Sequence, residues 1–361
     1  MTFSVWVFLA IVAVLLGVLW FALRYSVKWF WLAIVVVFAA LSVASVFNDN
    51  SLLWGLESFP TETDPPGGMS LTFSIAYASM LGSVGLMWFR SFLVRDIDAQ
   101  SHRIALVLSL IAIVAHVLLI GYLNLWDLHD RGDTAATLFS SQTWEVDSQS
   151  SSVRALLCLV IGFPLQHWFA RKDPNVERNR WFVVTGGLIA LGSLTVVGHT
   201  AYQPPTWLSH GMDFVHGVGA SLWFGGLIGL VLFLARILRD KDHDALLKAG
   251  SVLSQFSTWA LYSVVMLAFS GAVIAIMVKD DVLDPNESTF ATSLTAKLII
   301  AVIPIVLAAY NRFKLMPQLR EDPGSPRAWS ILRNTAIVEV VLLLVILVIT
   351  GQLVLASPVV T

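Results

Sequence analysis

Charged residues are scarce in this sequence: aspartate, glutamate, lysine and arginine make up 13% of the 361 residues, where a soluble domain carries roughly a quarter. Cysteine is almost absent. Cys158 stands alone inside an apolar run, which excludes a disulfide framework and a cysteine zinc site. A formal net charge of −2 leaves no basic excess for nucleic acid or for a polybasic patch on a membrane surface. No G-x-x-x-x-G-K-[ST] loop occurs, so ATP-driven pumping has no support. No catalytic constellation stands out, and the chain is not expected to be an enzyme.

What the sequence does have is apolar length. Hydrophobic residues make up 57% of it, gathered in runs of about 20 that match a hydrocarbon core roughly 30 Å thick. Runs and their polar breaks predict ten spans, near 3–23, 29–47, 70–90, 104–124, 154–170, 181–198, 213–235, 256–278, 290–311 and 331–356. The expected fold is therefore all-α, a polytopic transmembrane bundle of about ten helices in a lipid bilayer. The first run has no basic residue before it and no small-residue cleavage pattern after it, and reads as a retained helix. Of the 22 lysines and arginines, all but Arg131, Arg154, Lys279 and Lys297 fall in alternate connections. By the positive-inside rule those connections are cytoplasmic, and both chain ends lie outside. The outer connections 48–68 and 125–153 are acidic by contrast, as expected where lysine and arginine are held inside. Pro65-Pro66-Gly67-Gly68 marks a break. It divides the chain into an N-terminal hairpin (1–68), a four-helix segment (69–198) and a second four-helix segment (199–361).

A polar side chain in a membrane helix is costly and invites a functional question. The densest group joins the sixth and seventh spans on the outer side, where His199, His210, Met212, Asp213 and His216 fall together in a chain with eight histidines. Asp213 and His216 are three apart and share a helical face. Imidazole with thioether suits a soft or borderline metal, and Cu(I) matches best. The same histidines are also chemically at ease at a membrane–water interface, and proton coupling through them is a further reading.

The residues around this group resemble a known family. His199-Thr-Ala is followed by Asp213-Phe-Val-His216-Gly-Val-Gly-Ala-Ser-Leu-Trp223-Phe-Gly225-Gly226-Leu. Then come Ser254-Gln-Phe-Ser257, Ser270-Gly271, Ser293-Leu-Thr-Ala-Lys297-Leu, Ala308-Ala-Tyr-Asn311-Arg312, and Arg333-Asn-Thr-Ala-Ile-Val-Glu339. In this order they resemble the copper-resistance protein D (CopD) family over about 196–357. The resemblance implies a bacterial inner-membrane protein that moves copper or confers copper tolerance, served by a small periplasmic copper-binding protein. His199 and His216 match the family motif; His210 and Met212 enter the candidate site by proximity.

Other polar residues divide by setting. Gly225, Gly226 and Gly229 predict close helix packing. His116, mid-way along a span, reads as a satisfied core histidine, His167 as interfacial, and His102 as solvated in a connection. Methionines such as Met80 and Met87 read as packing. Lys297 is expected to snorkel outward, and Glu339 to meet Arg333 or Arg312. Two alternatives to copper transport stand beside it. One is a b-type cytochrome holding haem between histidines of different helices. The other is an assembly factor delivering copper to a respiratory oxidase.

Overall fold

A computed structural model of the chain describes residues 68–96, 98–130, 151–197, 204–240, 243–278, 289–323 and 325–355. The first two expected spans and His199 lie outside them. The described residues are helical, without a strand. α1 is Met69–Phe89, continued by a π-helical turn, Arg90–Val94. α2 is Ala99–Asp130 and α3 is Ser151–Ala170. α4, Glu177–Leu191, tightens into a 3₁₀ segment, Gly192–Val196. α5, Thr206–Ala220, passes through a second π turn, Ser221–Gly225, into α6, Gly226–Asp240. α7 is His243–Val278. α8, Thr289–Tyr310, runs through a third π turn, Asn311–Leu315, into the short α9, Met316–Glu321, and α10 is Pro326–Leu355.

All eight expected spans after residue 69 are thus helical, and seven helices are long and apolar enough to cross a membrane. The remaining one, α4, is 15 residues long before its 3₁₀ extension. The surface shows what surrounds them. On α2, Val107, Leu110, Ile111, Val114, Val117 and Leu118 are exposed at helical spacing, and on α8 so are Leu298, Ile299, Val302, Ile303 and Val306. Continuous apolar stripes of this kind are tolerable only in contact with lipid. The chain is a multi-pass membrane protein.

α1 is the centre of the bundle, packing against α2, α4, α6, α10 and the 221–225 turn. Glycine makes the tightest of these contacts possible. A Cβ on Gly225 would stand 2.6 Å from the Cα of Gly85, and one on Gly85 would overlap the Ser221 carbonyl. The neighbouring glycines behave alike: a Cβ on Gly226 would lie 2.6 Å from the Phe256 ring and one on Gly229 2.5 Å from that of Phe89. Without a hydrophobic force between helices in lipid, such close backbone approach is what holds them.

The basic connections come together at one end of the bundle. Arg236 of α6 pairs with Asp96 at 3.1 Å, Arg90 donates to the Asp96 carbonyl at 2.9 Å, and Arg180 lies over the Phe92 ring. Asp98 opens α2 by accepting from the backbone N–H groups of Gln100 and Ser101, the usual device for a helix start. Partial burial pushes its carboxyl up, but the Ser101 and Gln100 hydrogen bonds and Arg236 outweigh that and hold it below the ordinary carboxylate value. A depressed pKa means stability that is present above the unfolded value near 3.9 and lost as pH falls through the folded one.

Two outcomes are expected. Alkaline phosphatase fused within 125–153 should be active and within 171–180 inactive, and the reverse pattern would overturn the orientation. Gly85→Val should destabilise the detergent-solubilised protein by roughly 1–3 kcal/mol, the usual cost of overpacking, read as a lower thermal midpoint than that of a surface control such as Arg239→Lys.

Candidate metal site

α5 carries Asp213 and His216 on one face, and it packs lengthwise against α7. The π turn that follows keeps this rod continuous into α6. His216 is half-buried, and its Nδ1 lies 3.0 Å from the hydroxyl of Ser270 on α7. Ser270 is fully buried and spends its own proton on the Met266 carbonyl at 2.6 Å. Its oxygen can then accept from His216 Nδ1–H, which also lies near the Leu267 carbonyl. The tautomer follows from that network: Nε2 is left with the lone pair, the form in which imidazole binds a metal. Gly271 lies against the same ring, 3.5 Å from Cε1 to the position a Cβ would take.

Three more polar groups surround this histidine. Lys297 of α8 lies within electrostatic range of both His216 and Asp213, so it does not simply reach outward to water. Tyr77 of α1, buried at 7% exposure, feels the Asp213 charge as well. Met212, also buried, sits one turn before His216 on α5, and His210 is half-buried near the start of the helix. Among the described residues no three of histidine, cysteine, aspartate and glutamate come close enough to hold a metal. His199 is not among those residues, and thioether sulfur is not among those ligand types. What the structure brings together is Asp213 and His216, with Ser270, Lys297 and Tyr77 around them. Sequence reasoning missed Ser270 and Tyr77 as neighbours. A serine among apolar residues signals little unless the helix it faces is known.

Three other histidines, His116, His167 and His102, are partnered. His116 is buried, with Nδ1–H donating to the Ala112 carbonyl at 2.8 Å; it is the satisfied core residue expected. His167 is not interfacial but buried on α3, with Nε2 2.8 Å from Ser109. Ser109 in turn lies 2.7 Å from Ser83, which donates to the Ala105 carbonyl. Nor is His102 simply solvated. It is half-buried between Arg90 at 3.2 Å and Arg171 at 3.3 Å; a neutral imidazole offers one lone pair, so it accepts from only one of them at a time. Met80 and Met87 are fully buried, and the Met80 sulfur receives the Ser193 hydroxyl at 3.1 Å.

Deeper in the bundle, Glu339 meets neither Arg333 nor Arg312. Asn311 Nδ2 donates to its carboxylate at 2.7 Å, and the Trp223 indole N–H lies beside it without a well-formed hydrogen bond. Arg312 instead binds the carbonyl and hydroxyl of Ser257 on α7, at 2.9 and 2.8 Å. The reason lies in helix geometry. Asn311 and Arg312 are consecutive, so their side chains leave the helix in different directions, one toward α10 and the other toward α7.

Comparison with known proteins bears on this architecture. Residues 250–353, which include Ser270, Lys297, Asn311 and Glu339, match the family model for copper resistance protein D. Asp213 and His216 precede that match. Over 147 residues the chain is 30% identical to the copper transport protein CutJ of Bacillus subtilis (strain 168), an alignment covering 38% of this chain and 26% of that protein. Over 203 residues it is 26% identical to the inner membrane protein YebZ of Escherichia coli (strain K12), covering 53% of this chain and 64% of that one. The chain therefore spans about a quarter of the first relative and less than two thirds of the second. The similarity to the copper resistance protein D family is thus carried by its α7–α10 segment.

Proposed function

We propose that this protein carries copper across the inner membrane of a bacterium, taking the ion as Cu(I) at the outer end of α5. The observation that carries the reading is the contact of His216 Nδ1 with Ser270 on α7. Its Nδ1 is committed to Ser270, so Nε2 is available to a metal, on a helix that also presents Asp213 and Met212. Neutral imidazole and thioether are ligands of matching softness for Cu(I). A carrier must release what it binds, so two or three such ligands suit it better than a closed cage. His199 and His210, from the connection before α5 and its first turns, are the natural further ligands. The similarity to a copper transport protein and to an inner membrane protein supports both the cargo and the location.

Lys297 gives the site its second function on this reading. When no ion is bound, its ammonium balances the Asp213 carboxylate; an arriving copper ion displaces it. The chain acts as a carrier rather than an enzyme, and a small periplasmic copper-binding protein would supply the ion. A role in delivering copper to an oxidase uses the same capture site and differs only in the recipient.

Cu(I) affinity of the purified protein, measured by competition with a chromogenic chelator, tests this. Ser270→Ala should weaken binding about 10–100-fold, as loss of an orienting partner does, and His216→Ala should weaken it further. Cells expressing either variant at the normal level should accumulate less copper. Unchanged affinity in His216→Ala would remove the site. Unchanged cellular copper with lost oxidase activity in a deletion strain would select delivery over transport.

A further inference from the structure

We propose that Glu339, with Asn311 and Trp223, forms a proton-exchanging site inside the membrane, whose loading is linked to copper movement; the link rests on the transport reading above. Glu339 is 2% exposed, on α10. Thr335, one turn earlier, donates its hydroxyl to Asn311 Oδ1 at 2.8 Å. That fixes the amide so that Nδ2 faces the carboxylate. Trp223 brings its indole N–H alongside from another helix rod. Asn311 and Trp223 both belong to π turns, which are rare and concentrate at functional sites.

Among the described residues no cation completes this arrangement. Arg312, beside Asn311, is bound to Ser257. Arg333 on α10 turns toward Asn334, and Lys314 is exposed. On α1, Arg90 holds Asp96 and His102; on α6, Arg236 holds Asp96 and Asp98. On α9, Arg320 reaches Ser254 and Glu321 is exposed. Neutral donors alone therefore face the carboxyl group. They favour its ionised form, while removal from water favours the neutral one. A proton is the ligand that reconciles the two. It has no steric demand in a packed site, whereas soft Cu(I) is poorly served by a carboxylate flanked by N–H donors. The proton comes from water and returns to it, with no change of oxidation state anywhere.

A purely structural clamp between α8 and α10 would hold one protonation state at all pH values, and this separates the two roles. Infrared difference spectra of the full chain in lipid, recorded between alkaline and acid buffer, should show the carbonyl stretch of a buried protonated carboxyl group. The band should be missing in Glu339→Gln, retained in His216→Ala, and moved in frequency in Glu339→Asp, which keeps the test available if the glutamine variant does not fold. A wild-type spectrum with no titrating band, or a band that survives in Glu339→Gln, overturns the site. Proteoliposomes with a trapped pH dye and added Cu(I) test the link. Wild type should move protons with copper, and Glu339→Gln should lose the proton flux. Copper flux without protons in wild type, or unchanged proton flux in the variant, overturns the coupling. If wild type moves no copper at all, the transport reading and the coupling fail together, and the infrared band still decides whether Glu339 exchanges protons.

Discussion

Hydrocarbon offers a polar side chain no water, so a polar group buried in this bundle is stabilised only by a partner on a neighbouring helix or on its own backbone. That constraint organises the interior. Ser83, Ser109 and His167 answer one another across α1, α2 and α3. Ser270 fixes His216 across α5 and α7. Asn311 links α8 to α10 through Glu339. Each pairing ties two helices together and also sets a side chain's rotamer or tautomer. In a soluble core these would be minor contacts. Here they decide which nitrogen of His216 faces outward and which way the amide of Asn311 turns.

The bundle can make such contacts only where backbones come close, and this gives the glycines their place. Gly85 and Gly225 let α1 meet the 221–225 turn without intervening side chains. That contact fixes the turn against the central helix, and the turn carries Trp223 to Glu339. The extra residue in a π turn rotates everything after it relative to an ordinary helix. At the start of the 311–315 turn the consecutive residues Asn311 and Arg312 reach different neighbours, α10 and α7. Packing and polar chemistry are therefore coupled: the helices that approach most tightly are those that position the buried acid.

Much of the fold was legible because the bilayer imposes one strong rule, that a span needs a long apolar run. The eight expected spans from 70 to 356 all appear as helices. The basic connections, identified from sequence as one set, meet at one end through Arg236, Asp96, Arg90 and Arg180. Lateral relationships were not legible. Nearly every position in these helices is apolar, so periodicity cannot say which face meets which neighbour. That is why Glu339 was assigned to arginines near it in sequence when its partners come from two π turns. It is also why Lys297 was expected to reach for water when it faces Asp213 and His216. The π turns themselves leave no mark in composition. His102 and His167 failed for the same reason, since their partners sit on helices whose register no linear pattern records.

The two ionisable centres differ in a way that follows from their surroundings. Around Asp213 and His216 a lysine is close by, so the site carries its own positive charge and resists a second one unless that charge moves. Around Glu339, among the described residues, a buried acid meets neutral donors and no cation beside them. On the transport proposal, an ion entering from the α5 end would meet first a region that must give up a positive charge to admit it. Deeper in the bundle it would meet a region that lacks one. At a separation of several helical turns, and in a medium of low dielectric, charges influence one another far more than they would in water. On the transport proposal, any net positive charge left at the first centre after that displacement would raise the cost of a proton held at the second. Exchange of one cation for another, as proposed, would require that kind of opposition between the two polar clusters.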